Sequence, residues 1–264
     1  MATTQAGGRI NNPGPQIRAH VAACTRLLNM AAILHYSGHV SQRVPGKDAL
    51  YIQNRNESRA EVTPDSVLKV DFDGNVLEGE ERPPSELVIH TGIYRARPDV
   101  GAVIHNHMPM AAALTMVRGA KLEVMDFHAA DWADRVAVMR EVGHIKTEAD
   151  GAALAEALGE KSALLLRAHG LVLTAESAPG LLVDTLHFED NLKALKAAVG
   201  FSRNIEPVSG EDFERIGRTK DREHRVRKMW NYYVVKGVRA EAIPERWPGY
   251  PGVTLYKPGE EPAA

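Results

Sequence analysis

Apolar positions between residues 17 and 34 recur at steps of three and four: Ile17, Val21, Cys24, Leu28, Ala31 and Leu34. That period predicts an amphipathic helix, with Gly38 as its natural stop. The pattern then changes. "HVSQRV" and "ALYIQ" read as short strands, and "VLKVDFDGNVLEGE" reads as a hairpin turning at Asp73-Gly74-Asn75. A helical period returns in "PSELVIHTGIYRARPD", where Ser85 is placed to cap the start and Pro98 follows the end. "VGAVIHNH" is an unbroken apolar run and predicts a buried strand. "PMAAALTMVRG" predicts a helix opened by Pro109, and "TEADGAALAEAL" one capped by Thr147. "SALLLRAHGLVLT" divides into two strand pieces at Gly170. "LLVDTLHFEDNLKALKAAV" predicts a long amphipathic helix. A charged helix from about Asp212 to Lys228 follows, then a tail rich in Pro, Trp and Tyr.

Strands and helices alternate, with hairpins between them. This order predicts an α/β fold in which helices flank a mixed sheet. Residues 1–15, rich in Gly, Asn and Pro, read as a loose arm, and residues 16–264 as one domain. The arm has no apolar core of the kind a secretory signal needs. No apolar run is long enough to span a bilayer. Cys24 is the single cysteine, so no internal disulfide can form, and a reducing, cytoplasmic setting is expected. The formal net charge is -2 with both signs interspersed, which argues against a nucleic-acid or membrane partner and leaves small anionic ligands open. "RIGRTKDREHRVRKMW" is locally basic but reads as a solvated helix face, since acidic residues precede it.

The chemistry is concentrated in histidines. His105 and His107 close the apolar run of "AVIHNHMP". Residues two apart on a strand share a face, so both rings can aim at one point. His169, in "LLLRAHG", ends another strand run. Three neutral imidazoles at strand ends would make an open face for a divalent ion such as Zn²⁺ or Mn²⁺. The spacing alone leaves open whether His169 meets the pair. Glu86 lies in the first turn of the helix just upstream, where the helix dipole favours a carboxylate with or without a catalytic task.

"PPSELVIHTGIYRARPDVGAVIHNHMP", "LLLRAHG" and "HYSGHVSQRV" together resemble the class II aldolase/adducin family over roughly Gln16 to Ala198. The resemblance implies a three-layer α/β/α fold around a central mixed, largely antiparallel sheet. It implies a homotetramer with sites at subunit interfaces. It also implies that His105, His107 and His169 bind a divalent metal and that Glu86 is the acid/base. Sugar-phosphate members carry Gly-Asn and Ser-Ser-Glu where this chain has Gly38-His39 and Pro84-Ser85-Glu86. Pro84 supplies neither a hydroxyl nor an N–H to a phosphate cradle. These departures resemble a branch that decarboxylates hydroxylated aromatic or pyridine carboxylates. The expected function is therefore a metal-dependent carbon–carbon lyase acting on a small carboxylate, with Ser85, His39 and His128 as substrate contacts. The alternatives are an aldolase or epimerase acting on a phosphorylated sugar and, more remotely, a non-catalytic adducin-like scaffold. His187 and Glu189 read as packing or interface residues. Core or interface packing is the expected role for most of Tyr232, Tyr233, Tyr250 and Tyr256, with capping of a neighbouring subunit's site as the alternative.

Overall fold

The computed structural model describes residues 13–216 and 221–255. Its strands are β1 (His39–Arg43), β2 (Ala49–Ile52), β3 (Leu68–Asp71), β4 (Val76–Glu78), β5 (Ala102–Asn106), β6 (Val136–Met139), β7 (Ala163–Leu166) and β8 (Gly170–Ala175). Its helices are α1 (Gly14–Met30), α2 (Leu87–Ala96), α3 (Pro109–Met116), α4 (Glu148–Leu158), α5 (Ala178–Phe201), α6 (Glu211–Ile216) and α7 (Arg222–Arg239). The strands form one sheet in the order β4-β3-β2-β1-β5-β8-β7-β6. Every neighbouring pair is antiparallel except β6 and β7.

Helices cover both faces of this sheet. One core gathers side chains of α1, α5 and α7 under Ala102 and Ile104 of β5. The other gathers α2 and α4 under Val103. Neighbouring residues of β5 thus enter opposite cores, and the whole strand is buried. A strand in this position has no polar face, which is why "AVI" is continuous rather than alternating. The three-layer α/β/α expectation is met.

Two close approaches fix the layer beneath the histidines. A Cβ on Gly92 of α2 would lie 2.5 Å from the Gly151 carbonyl oxygen of α4, and one on Gly151 would lie 2.5 Å from the Val88 oxygen. The two backbones touch there, with no room for a side chain. At the start of α4, Thr147 and Asp150 form a reciprocal capping box, as the placement of Thr147 predicts.

Several local expectations change. Gly14 and Pro15 belong to α1 rather than to an arm, because Pro is accepted in a first helical turn where no N–H is needed. The rest of the arm, residues 1–12, lies outside the described residues. Ser85 does not cap α2; Glu86 takes that position and makes no side-chain capping bond. The charged helix is two helices, α6 and α7, with residues 217–220 outside the description. β6 has no clear sequence signal because it is a half-exposed edge strand without strict alternation. The β7–β8 turn bends at Ala168, whose φ is 56°, and not at Gly170. No described helix is long and apolar enough to cross a membrane.

Candidate metal centre

Register brings the histidines together. β1 and β5 pair so that His39 lies opposite His105. β8 pairs with the other edge of β5, with Leu171 opposite Asn106, so the turn carrying His169 comes to the end of β5. His107 follows that strand end directly. Glu86 enters from the cap position of α2. One ligand atom from each of Glu86, His105, His107 and His169 lies within 4.8 Å of all the others.

The three rings converge on their Nε2 atoms. His107 Nε2 is 3.1 Å from His105 Nε2 and 3.2 Å from His169 Nε2. Glu86 Oε2 is 3.5 Å from His105 Nε2, and Oε1 is 3.8 Å from His169 Nε2. Groups outside the cluster set the tautomers. His105 Nδ1 is 3.2 Å from the Leu171 carbonyl oxygen, which can only accept, so Nδ1 holds the proton and Nε2 is bare. His107 Nδ1 is 3.0 Å from Ser37 Oγ. Burial and neighbouring imidazoles push His105 well below its ordinary pKa. Burial also lowers His107 and His169, so the donor set is neutral near pH 7. One proton can satisfy a single Nε2 pair. A divalent cation satisfies all three nitrogens together, and the donor set therefore fits such an ion.

Glu86 is held by its surroundings. The Ile145 N–H points at Oε1 from 3.4 Å. The next two N–H groups, of Lys146 and Thr147, go to Asp150.

The remaining candidates divide. His39 is buried beside the cluster, its ring centroid 5.2 Å from that of His105. Ser85 is exposed in the turn before Glu86. His128 is not brought to the cluster. It sits on a 3-10 turn (Phe127–Trp132) packed against α5, on the face of the sheet opposite His105, and stacks on His187 at 5.0 Å. Tyr250 donates to Asp65, and Tyr232 stacks edge-on with Tyr233. Tyr256 lies outside the described residues.

Residues not anticipated from sequence also shape the centre. Ser37 faces His107. Arg59 is buried and donates through Nε to the Gly38 carbonyl, next to His39. His90 is 2.6 Å from His39. Of these only His90 carried a signal: it lies four residues after Glu86, on the same side of α2.

Comparison with known proteins places this architecture. A crystal structure of an aldolase II superfamily protein from Pseudomonas syringae superposes with a TM-score of 0.76 and 24% identity, covering 89% of this chain and 96% of that one. The adducin-related protein C1289.14 of Schizosaccharomyces pombe is 32% identical over 175 residues, 61% of this chain and 52% of its own length. The 5-deoxy-D-ribulose 1-phosphate aldolase of Bacillus thuringiensis serovar kurstaki is 34% identical over 118 residues, 44% of this chain and 54% of its own. The chain thus spans about half the length of these curated relatives. The comparisons support the family and not the decarboxylase branch in particular. The model of the class II aldolase and adducin N-terminal domain matches residues 18–195, which include Glu86 and all three converging histidines; the chain belongs to the class II aldolase/adducin family.

Proposed function

We propose that the chain is a metal-dependent lyase acting on a phosphorylated sugar or a closely similar hydroxycarbonyl compound. The observation that carries this reading is the convergence of three neutral imidazoles and one carboxylate, with His107 exposed. His105, His107 and His169 would hold a divalent ion, Zn²⁺ or Mn²⁺. When bound, such an ion supplies Lewis acidity at a substrate oxygen. Glu86, steadied by the Ile145 N–H, moves a proton at the reacting carbon or its hydroxyl. The named activity of the aldolase relative supports a sugar phosphate over an aromatic acid. The adducin-related match raises the scaffold reading, but a scaffold has no use for four converging ligand groups.

A second reading, decarboxylation of a hydroxylated aromatic or pyridine carboxylate, is favoured by one specific feature. Pro84 and the buried, neutral His39 stand where a phosphate cradle would offer more N–H and hydroxyl donors. A panel decides between them. Fuculose, rhamnulose and 5-deoxyribulose 1-phosphates form one arm; hydroxyphthalates and hydroxypyridine dicarboxylates form the other, each with Zn²⁺ and Mn²⁺. Aldehyde and triose-phosphate formation from the sugar phosphates is the expected result. CO₂ release from the aromatic acids alone would overturn it in favour of the second reading.

We further propose a homo-oligomer, with tetramer as the family's pattern. Tyr36, almost fully exposed beside Ser37, suits a contact with a neighbouring copy. Light scattering that returned the 28.9 kDa monomer would refute this.

A further inference from the structure

Below the cluster lies a line of buried polar groups. His90 Nε2 is 2.6 Å from His39 Nδ1, and His90 Nδ1 is 2.6 Å from Ser41 Oγ. Ser41 Oγ is in turn 2.8 Å from Tyr94 Oη. All four residues are buried, His90 and Ser41 completely. Four groups make three contacts, and each contact holds one proton.

The direction of the line follows from its inner end. Among the described residues, the acceptor beside the Tyr94 proton is Ser41. Tyr94 then donates to Ser41, Ser41 to His90 Nδ1, and His90 Nε2–H to His39 Nδ1. Reversed, the line strands the buried Tyr94 hydroxyl without an acceptor, a cost of about 1–3 kcal/mol. His39 Nδ1 accepts from His90 in this direction and is therefore bare, which a doubly protonated imidazolium does not allow. A neutral imidazole with a bare Nδ1 carries its proton on Nε2. His39 keeps 5% of its surface exposed. The ring stands on the face of the sheet that carries His105.

We propose that His90, backed by Ser41 and Tyr94, is a positioning residue that fixes His39 as a hydrogen-bond donor through Nε2. His39 then presents an N–H to a substrate oxygen and is withheld from acting as a fourth imidazole ligand. The substrate group it suits is an anionic or carbonyl oxygen. This assignment rests on the lyase reading for its substrate but not for its geometry.

The test uses Zn²⁺-loaded, ¹⁵N-histidine-labelled protein, with His39 signals identified by their loss in His39→Gln. Two-bond ¹H–¹⁵N correlations are expected to show the Nε2–H tautomer of His39. His90→Leu should mix the tautomers. Tyr94→Phe, a milder change that removes the proton at the inner end, should do the same. His90→Gln, whose amide N–H can replace the donor, should restore the Nε2–H form. A wild-type His39 protonated on Nδ1 would overturn the proposal. So would His39 signals unmoved in both His90→Leu and Tyr94→Phe. With the sugar phosphate cleaved in the panel, His39→Gln and His90→Leu should each raise KM about tenfold, the scale of one hydrogen bond. The double variant should be no worse than His39→Gln. Additive losses would mean that His90 acts independently of His39 and would refute the coupling. The tautomer measurement needs no substrate, so a failed panel leaves it decisive.

Discussion

Gly170→Ala probes the link between fold and site. An added methyl would lie 2.1 Å from the Asn106 carbonyl oxygen and 2.9 Å from the His107 Cα. Ordinary contact begins near 3.4 Å, so β5 and β8 must part by about 1.3 Å at this point (3.4 less 2.1). Gly170 is not in the left-handed region, so the effect is steric rather than conformational. Overpacking of this kind costs about 1–3 kcal/mol. In a chain of this size that lowers Tm by roughly 2–12 °C. The larger effect falls on the centre. His107 stands on one side of the clash, and His169 is the residue before it. Metal–ligand distances tolerate only about 0.2 Å, so the three nitrogens lose their common point. Affinity for Zn²⁺ should fall at least 10–100-fold, by analogy with lost ligand support. Competition with a chromophoric chelator measures this, alongside melting of the metal-free protein. Gly143→Ala, with nothing within 4 Å of its added Cβ, is the control. Wild-type Zn²⁺ affinity in Gly170→Ala would show that the β5–β8 approach does not set the site.

Two other outcomes follow from the structure. Glu86→Gln should fold, keep its metal and lose about 10²–10⁴-fold in turnover; near-normal rates with full metal content would return Glu86 to the role of a helix-end charge. Acid should destabilise the metal-free protein early, because burial holds His20 at about 4 and His90 at about 3 while the unfolded chain titrates near 6.5. Below pH 6.5 the unfolded chain binds protons that the fold refuses, so this stability is present above 6.5 and is lost as pH falls. At about 1.36 kcal/mol per pH unit per group, the pair costs roughly 4 kcal/mol at pH 5. Equal denaturant midpoints at pH 7 and pH 5 would contradict this.

The parts of the site readable from the chain were those with a local signature. The two-residue spacing of His105 and His107 places both rings on one side, and the Thr147 capping box is written in four consecutive positions. His169 is different. It reaches the pair only because β8 returns antiparallel beside β5, sixty residues on, and spacing carries no record of that pairing. Glu86 was visible as a helix-start carboxylate, yet the helix begins one residue later than Ser85 implied, and that shift is what makes Glu86 the cap. His128 looked as chemical as His39. The sheet separates them, because His128 rides on the α5 layer while His39 shares a face with His105. Ser37, Arg59 and the Ile145 N–H act through chain turns, where polar residues are ordinary and signal nothing.

The central claim is that His105, His107 and His169 form one divalent-metal site. Elemental analysis of the purified, Zn²⁺-dialysed protein against His107→Ala tests it most directly. His107 is the exposed member of the three, so its truncation leaves the core intact. One ion per chain in the wild type, and a fraction of that in the variant, is the predicted result. Equal metal in both, or none in either, would contradict the account.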